Sequence, residues 1–150
     1  MSRGQPSNLS SVPYEDLPVA EFAFPGPLRD QLVAAILTGD KTTTSALAVG
    51  YEKDGEPLPG LGQREAVVDP AGNRVAVIET VTVRVPRLGD VGLARARAEG
   101  ERYASVAEWR AGHERFWQSA QIREELGDLD FVADDDTLVV AQEFRLVESS

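Results

Sequence analysis

The chain has no cysteine, one histidine (His113) and two lysines (Lys41 and Lys53) in 150 residues. The missing cysteine excludes disulfides, thiol nucleophiles and cysteine-ligated zinc or iron–sulfur centres. A lone histidine excludes a histidine-rich metal site. No apolar run approaches the roughly 18 residues that span a bilayer. No apolar segment follows Met1, so no secretory signal is expected either. Positive charge is also scarce: 15 basic residues face 25 acidic ones, a formal net charge of −10. That balance argues against a broad phosphate-binding face, which needs a basic surface, and leaves room only for a local basic pocket. There is no G-x-S-x-G and no readable catalytic triad. A cytoplasmic protein that binds no membrane is the expectation.

At 16.2 kDa the chain is long enough for one domain with a real core, and 42% hydrophobic residues argue against disorder. Residues 1–14, rich in Ser, Pro and Gly, read as a mobile N-terminal tail, and 15–150 as a single domain. Leu28–Thr38 reads as a helix, with Pro27 in its first turn and Gly39 as its stop. The β-branched run Lys41–Ser45 favours a strand, and residues 54–63 a loop. Glu65–Asp69, Arg74–Val85 and Thr137–Val147 read as strands. Asp90–Ala98 reads as a short helix. A longer helix runs from a capping box at Ser105 and Glu108 to Gly127. A helix, strands, a helical insertion and a last strand describe an α+β fold around a small sheet or barrel.

Glu79 is the most conspicuous polar residue by pattern. Along its strand it alternates with Val75, Val77, Val81, Val83 and Val85, so it shares their face. A carboxylate on an apolar face must be paired or protonated; the bland reading is a structural ion pair or a strand kink that releases Glu79 to water, and the sharp one a pocket acid. Lys41 sits at a helix-to-strand junction, where a solvated turn lysine is the ordinary outcome. Gly39-Asp40-Lys41-Thr42 is not a phosphate loop, because an Asp precedes the lysine and a strand follows it. His113 shares a helix face with Trp109, Phe116 and Trp117, which suits either packing or base stacking. The run Asp134-Asp135-Asp136 reads as a solvated loop, not a metal site.

These pieces occur in a telling order. Leu37-Thr38-Gly39-Asp40-Lys41-Thr42-Thr43-Thr44-Ser45 comes first, then Gly55-Glu56-Pro57-Leu58-Pro59 and Ile78-Glu79-Thr80. Glu99-Gly100-Glu101 follows, and then Ser105, Trp109-Arg110 and His113-x-x-Phe116-Trp117. From about Phe22 to Val147 the chain resembles an ASCH domain, a relative of the PUA domains. The resemblance implies a small PUA-like β-barrel with flanking helices. It also implies a cleft that binds RNA or a nucleotide or nucleoside. The positions it marks for binding are Lys41, Thr42, Thr43, Ser45, Tyr51, Ser105, Trp109, Arg110 and His113.

Some members of that family cleave single-stranded RNA with the help of a divalent metal. The resemblance therefore allows Mn²⁺ or Mg²⁺ as a cofactor without requiring one. A shorter relative deacylates N4-acetylcytidine with a Lys, a Thr three residues on and a Glu. Lys41 and Thr44 match the first two, Glu99 and Glu101 both fit the third, and Glu79 matches a glutamate of the central strand. As an amidohydrolase, the protein would need burial to depress the Lys41 pKa, because a lysine at about 10.4 is protonated at neutral pH. As a ribonuclease, a charged Lys41 would stabilise the phosphorane. As a binding module, it would contact a phosphate while an aromatic ring stacks on a base. A regulatory or protein-interaction domain without catalysis is the remaining alternative. Arg102-Tyr103 replaces a Gly-Asp common among relatives, and Trp117 replaces a Phe; both alter the rim of the cleft.

Overall fold

The longest valine-rich run of the chain becomes the middle of its sheet. The computed structural model describes residues 16–20, 22–101 and 103–149; the tail expected over 1–14 lies outside them. Five strands are formed: β1 (Val19–Ala20), β2 (Thr43–Leu47), β3 (Arg64–Val68), β4 (Arg74–Arg84) and β5 (Val139–Ser149). They lie in the order β1-β3-β4-β5-β2, with β1 parallel to β3 and every other pair antiparallel. The pairing of β4 with β5 shifts register between Val77 and Ile78 and again between Thr80 and Thr82. Such bulges add twist and bend a long pair, so the five strands curl into a half-barrel. The fold is α+β, as the sequence predicts.

Helix α1 (Pro27–Thr38) closes one side of the sheet. Its Leu32, Val33 and Ile36 pack on Val67, Ala76, Ile78, Phe144 and Phe22. Gly39 ends it in the left-handed conformation, φ 86°, with its N–H on the Ile36 carbonyl. A second cluster, built on Trp109, Trp117, Leu88 and Val139, holds the helical insertion to the other end of the sheet.

That insertion departs from the sequence reading in several places. The helix expected over Asp90–Ala98 is a single 3-10 turn (Leu88–Asp90) followed by α3 (Leu93–Ala98). Val91 and Gly92, both extended, separate them. The helix expected to run to Gly127 divides into α4 (Val106–Trp117) and α5 (Ala120–Leu126). Ser119 caps the second piece by accepting from the Ile122 N–H, and the Gln118 side chain accepts from Ala133 N–H. Helix α2 (Ala48–Asp54) was not read from the sequence at all. The Ser105 cap forms as expected, although Glu108 reaches back to the Ala104 N–H instead of that of Ser105. β2 starts at Thr43, not Lys41, because the Lys41 N–H bonds Ala35 O and the Thr42 N–H bonds Ala98 O.

The expectation for Glu79 also needs correction. Ala76, Ile78 and Thr80 are the buried positions of β4, whereas Val81 and Val85 are exposed. Only Val77, packed on Leu17 and Ala66, is buried on the valine face. Glu79 therefore stands on the face that meets solvent. It accepts from its cross-strand partners Arg64 (2.9 Å) and Arg145 (3.2 and 3.3 Å), which hold the carboxyl below its ordinary range. Of the two readings left open, the structural ion pair is the observed one. Glu79→Ala should lower stability in urea unfolding by less than about 1 kcal/mol. It should also leave the NMR resonances of His113 in place; a shift there would put Glu79 in the His113 network.

Candidate active site

One end of the half-barrel opens into a broad cleft, and three chain segments deliver charged side chains to its floor. The exit from α1 brings Lys41, the turn after α3 brings Glu99, and α4 brings His113. Gly100 makes the meeting possible. Its φ is +75°, and a Cβ on it would lie 2.7 Å from Lys41 Cβ and 2.8 Å from Lys41 N. Only glycine fits so close to another backbone in that conformation.

Glu99 is 1% exposed and central to the cluster. Its Oε2 accepts from Ser45 Oγ at 2.6 Å, and its Oε1 accepts from His113 Nε2 at 3.1 Å. Burial alone would raise this carboxyl. The His113 hydrogen bond, the Lys41 charge and Ser45 outweigh burial and hold it below the usual range.

His113 stacks on Trp109 at 4.4 Å and meets the edge of Trp117 at 5.2 Å. Its Nδ1 lies 2.9 Å from the Trp109 carbonyl oxygen. Both ring nitrogens thus face acceptors, an arrangement that favours the doubly protonated imidazolium. Burial opposes that charge, but Glu99 and the Trp109 carbonyl overcome it and raise the pKa above 6.5.

Lys41 is 2% exposed, with its ammonium end 5.8 Å from the centre of the Phe22 ring. Nζ donates to Thr43 O at 2.9 Å and to Glu99 O at 3.2 Å. Glu99 Oε1 is 3.8 Å away, an ion-pair distance too long for a hydrogen bond. Burial pushes the Lys41 pKa down, and Glu99 and Glu101 offset only part of that. Because His113 already matches the Glu99 charge, Lys41 shares its counterion with another cation.

Glu101 stands beside this group and accepts from the Tyr103 hydroxyl at 3.1 Å. Burial and Glu101 raise the Tyr103 phenol above its ordinary value. The Tyr103 ring lies against α4, where a Cβ on Gly112 would sit 2.6 Å from its hydroxyl. Glu99, Glu101 and His113 offer ligand atoms within 4.8 Å of one another. The donor types suit a transition ion. As arranged, they do not fit a dication well: His113 holds a proton where its lone pair would bind, and Lys41 already faces Glu99. No step below is derived through a metal.

A second polar group crosses the sheet. Thr44 on β2 is the direct partner of Gln142 on β5. The Gln142 Nε2 donates to Thr80 Oγ1 on β4 at 2.7 Å and to Glu65 Oε1 on β3 at 3.1 Å. Tyr51, on α2, and Gln63 also line the cleft, and both act on Glu65 or are acted on by it.

Of the residues singled out in the sequence, the cleft collects Lys41, Thr44, Ser45, Tyr51, Glu99, Glu101 and His113, with Phe116 and Trp117 beside the last. The others stand elsewhere. Thr42 and Thr43 contribute backbone groups, Thr42 N–H to Ala98 O and Thr43 O to Lys41. Ser105 caps α4, and Trp109 is a core residue beneath His113. Arg110 is engaged by Glu114 at 3.1 Å and by Asp135. Glu79 stays on the solvent face described above. The sequence reading had Tyr103 only as a change at the cleft rim and missed Glu65 and Gln142; a Gln directly after the apolar run Val139–Ala141 was the one available signal.

The ASCH domain family model matches residues 21–148. An ASCH domain from Lactobacillus crispatus superposes with a TM-score of 0.73 at 26% identity, over 94% of this chain and 89% of that one. A protein from Enterococcus faecalis superposes with a TM-score of 0.70 at 28% identity, over 80% and 69%. No curated protein matches the chain.

Glu99→Gln removes the buried carboxylate that faces both His113 and Lys41. It should cost about 3 kcal/mol or more in urea unfolding. Lys41→Met, which leaves Glu99 bonded to His113 and Ser45, should cost less; the reverse order would contradict the central place of Glu99. The two raised and lowered groups also set a pH window. The raised His113 contributes stability fully below its ordinary 6.5 and loses it as pH rises through the folded-state value. The lowered Glu99 contributes above its ordinary 4.5 and loses it as pH falls through the folded-state value. The Tm difference between wild type and His113→Gln should therefore be largest between about pH 4.5 and 6.5 and shrink above that. A difference that does not vary with pH would mean that His113 is not charged in the fold.

Proposed function

The chain belongs to the ASCH domain family, and from that premise we propose that its cleft binds a small nucleoside-like ligand and hydrolyses an N-acyl group on it, N4-acetylcytidine being the substrate class. The observation that carries this reading is the environment of Lys41. Its Nζ has two hydrogen-bond acceptors, Thr43 O and Glu99 O, and no third within hydrogen-bonding distance among the described residues. A neutral amine has two N–H donors and one lone pair, so this environment satisfies the neutral form and leaves the lone pair available. Burial favours the same form. A phosphate anchor would need the opposite, an accessible and permanently charged head. Nor do the walls suit a polyanion: Glu56, Glu65, Glu101 and Glu125 line the cleft against Lys53 and Arg115.

In the reaction, neutral Lys41 takes the Thr44 hydroxyl proton as Thr44 Oγ attacks the acyl carbonyl carbon. The C–N bond then breaks, and the Lys41 ammonium returns the proton to the departing exocyclic amine. Water attacks the acyl-threonine ester and gives a proton to Lys41. The Lys41 ammonium then gives that proton to Thr44 Oγ as the ester C–O bond breaks, which restores Thr44 and neutral Lys41, and the acid leaves and ionises in water. Glu99 stabilises Lys41 during the interval when it is charged, and His113 and Ser45 hold Glu99 in place. Tyr51 and Tyr103 supply faces for the base.

N4-acetylcytidine should be converted to cytidine and acetate. Thr44→Ala and Lys41→Met should each lower kcat/KM at least about 100-fold. The pH profile of kcat/KM should rise with a pKa below that of an ordinary lysine. Cleavage of single-stranded RNA that is lost in Lys41→Met, with no deacylation, would replace this reading with a nuclease.

A further inference from the structure

The row Glu65–Thr80–Gln142–Thr44 crosses four strands of the sheet, yet the acyl-transfer chemistry uses only Thr44. Its hydrogen-bond polarity is one-sided. Gln142 has two amide hydrogens, and both are committed, one to Thr80 Oγ1 and one to Glu65 Oε1. What remains of that amide is its carbonyl oxygen, an acceptor. Glu65 is likewise acceptor-only when ionised, and Gln142 occupies just one of its oxygens. Gln63 leans on Glu65 from the loop before β3. Both Glu65 and Gln142 line the cleft. At its Glu65–Gln142 end, away from the Thr44 and Thr80 hydroxyls that can also donate, this wall therefore asks a ligand for donors and repels groups that bring only acceptors.

Position adds a second constraint. Adjacent strands lie about 4.8 Å apart, so the Glu65 carboxylate, drawn toward β5 by Gln142, is on the order of 10 Å from Thr44. An acyl group held at Thr44 thus leaves the far end of its nucleoside facing Glu65. In an N4-acylated cytidine the exocyclic nitrogen and the sugar are at opposite ends of the ring. The base edge between them carries acceptors at N3 and O2, which this wall would oppose. The sugar of a ribonucleoside carries two adjacent hydroxyl donors.

We propose that Glu65, oriented by Gln142 and Thr80, is a diol subsite that takes the 2′- and 3′-hydroxyls of a ribose, so that the cleft selects ribonucleosides over deoxyribonucleosides and over 5′-phosphorylated ligands. The proposal rests on reading the cleft as a nucleoside site and adds what part of the nucleoside is recognised. A carboxylate partly withdrawn from water is a strong acceptor for such a pair, and leaving it unpaired is costly. A phosphate brings charge and acceptors to the same wall and gains nothing from it.

Calorimetric titration of cytidine, 2′-deoxycytidine and cytidine 5′-monophosphate into wild type, Glu65→Ala, Glu65→Gln and Lys41→Met tests this. Wild type should bind cytidine about tenfold or more tightly than either competitor. Glu65→Ala should bring cytidine and 2′-deoxycytidine within about twofold of each other. Glu65→Gln, which keeps the shape and the packing, should fall between and report any loss due to folding alone. Lys41→Met should keep the full preference. Equal binding by wild type, a preference that survives Glu65→Ala, or no binding of cytidine would overturn the proposal. Deacylation without sugar preference removes the diol subsite alone. Sugar preference without deacylation keeps the subsite and removes the hydrolytic reading.

Discussion

A single buried carboxylate holds the cleft together. Glu99, 1% exposed, could not stay ionised there unaided, because burying an unpaired charge costs several kcal/mol. Its partners come from three places in the chain: Ser45 on β2, Lys41 at the exit of α1, and His113 on α4. The set is complete only when the sheet, the turn at Gly100 and α4 are all docked. The cost of burial thus enforces the long-range arrangement. Trp109, stacked under His113 and wholly buried, fixes the ring at the angle that aims Nε2 at Glu99.

That arrangement has a chemical consequence. An imidazolium beside Glu99 leaves Lys41 with a shared counterion, and burial then favours the amine over the ammonium. The same Glu99 is close enough to stabilise the ammonium when it forms. A group that can gain and lose a proton at modest cost is what acid–base chemistry requires. Among the charged side chains of the surrounding walls, carboxylates outnumber cations, which disfavours a polyanion. The acidity of the whole chain, net −10, is consistent with the cleft's own balance.

Much of this was legible locally. The stop at Gly39, the cap at Ser105 and the stacking of His113 with Trp109 depend on residues a few positions apart, and each formed as the pattern indicated. The scarcity of lysine in the sequence marks out Lys41 and Lys53. Alternation alone does not say which side of β4 is the core, so it leaves Glu79 open between an ion pair and a pocket acid. A period of two fixes which residues share a face, but not where that face points. The sequence left Glu99 and Glu101 equivalent. Only the turn at Gly100 separates them, sending one to Lys41 and the other to Tyr103. Glu65 and Gln142 are 77 positions apart, beyond the reach of any spacing argument. The break at Ser119 likewise depends on Ala133, whose N–H takes up the Gln118 side chain.

The account stands on Lys41 being easier to deprotonate than a lysine in water. Selective observation of its Nζ by heteronuclear NMR, across a pH titration of the wild-type protein, measures that directly. The account predicts a midpoint below the ordinary 10.5, moving lower still in Glu99→Gln as the stabilising charge is removed. A midpoint at or above 10.5 would show an ammonium that never yields its proton, and would contradict both the electrostatics of the cluster and the chemistry built on it.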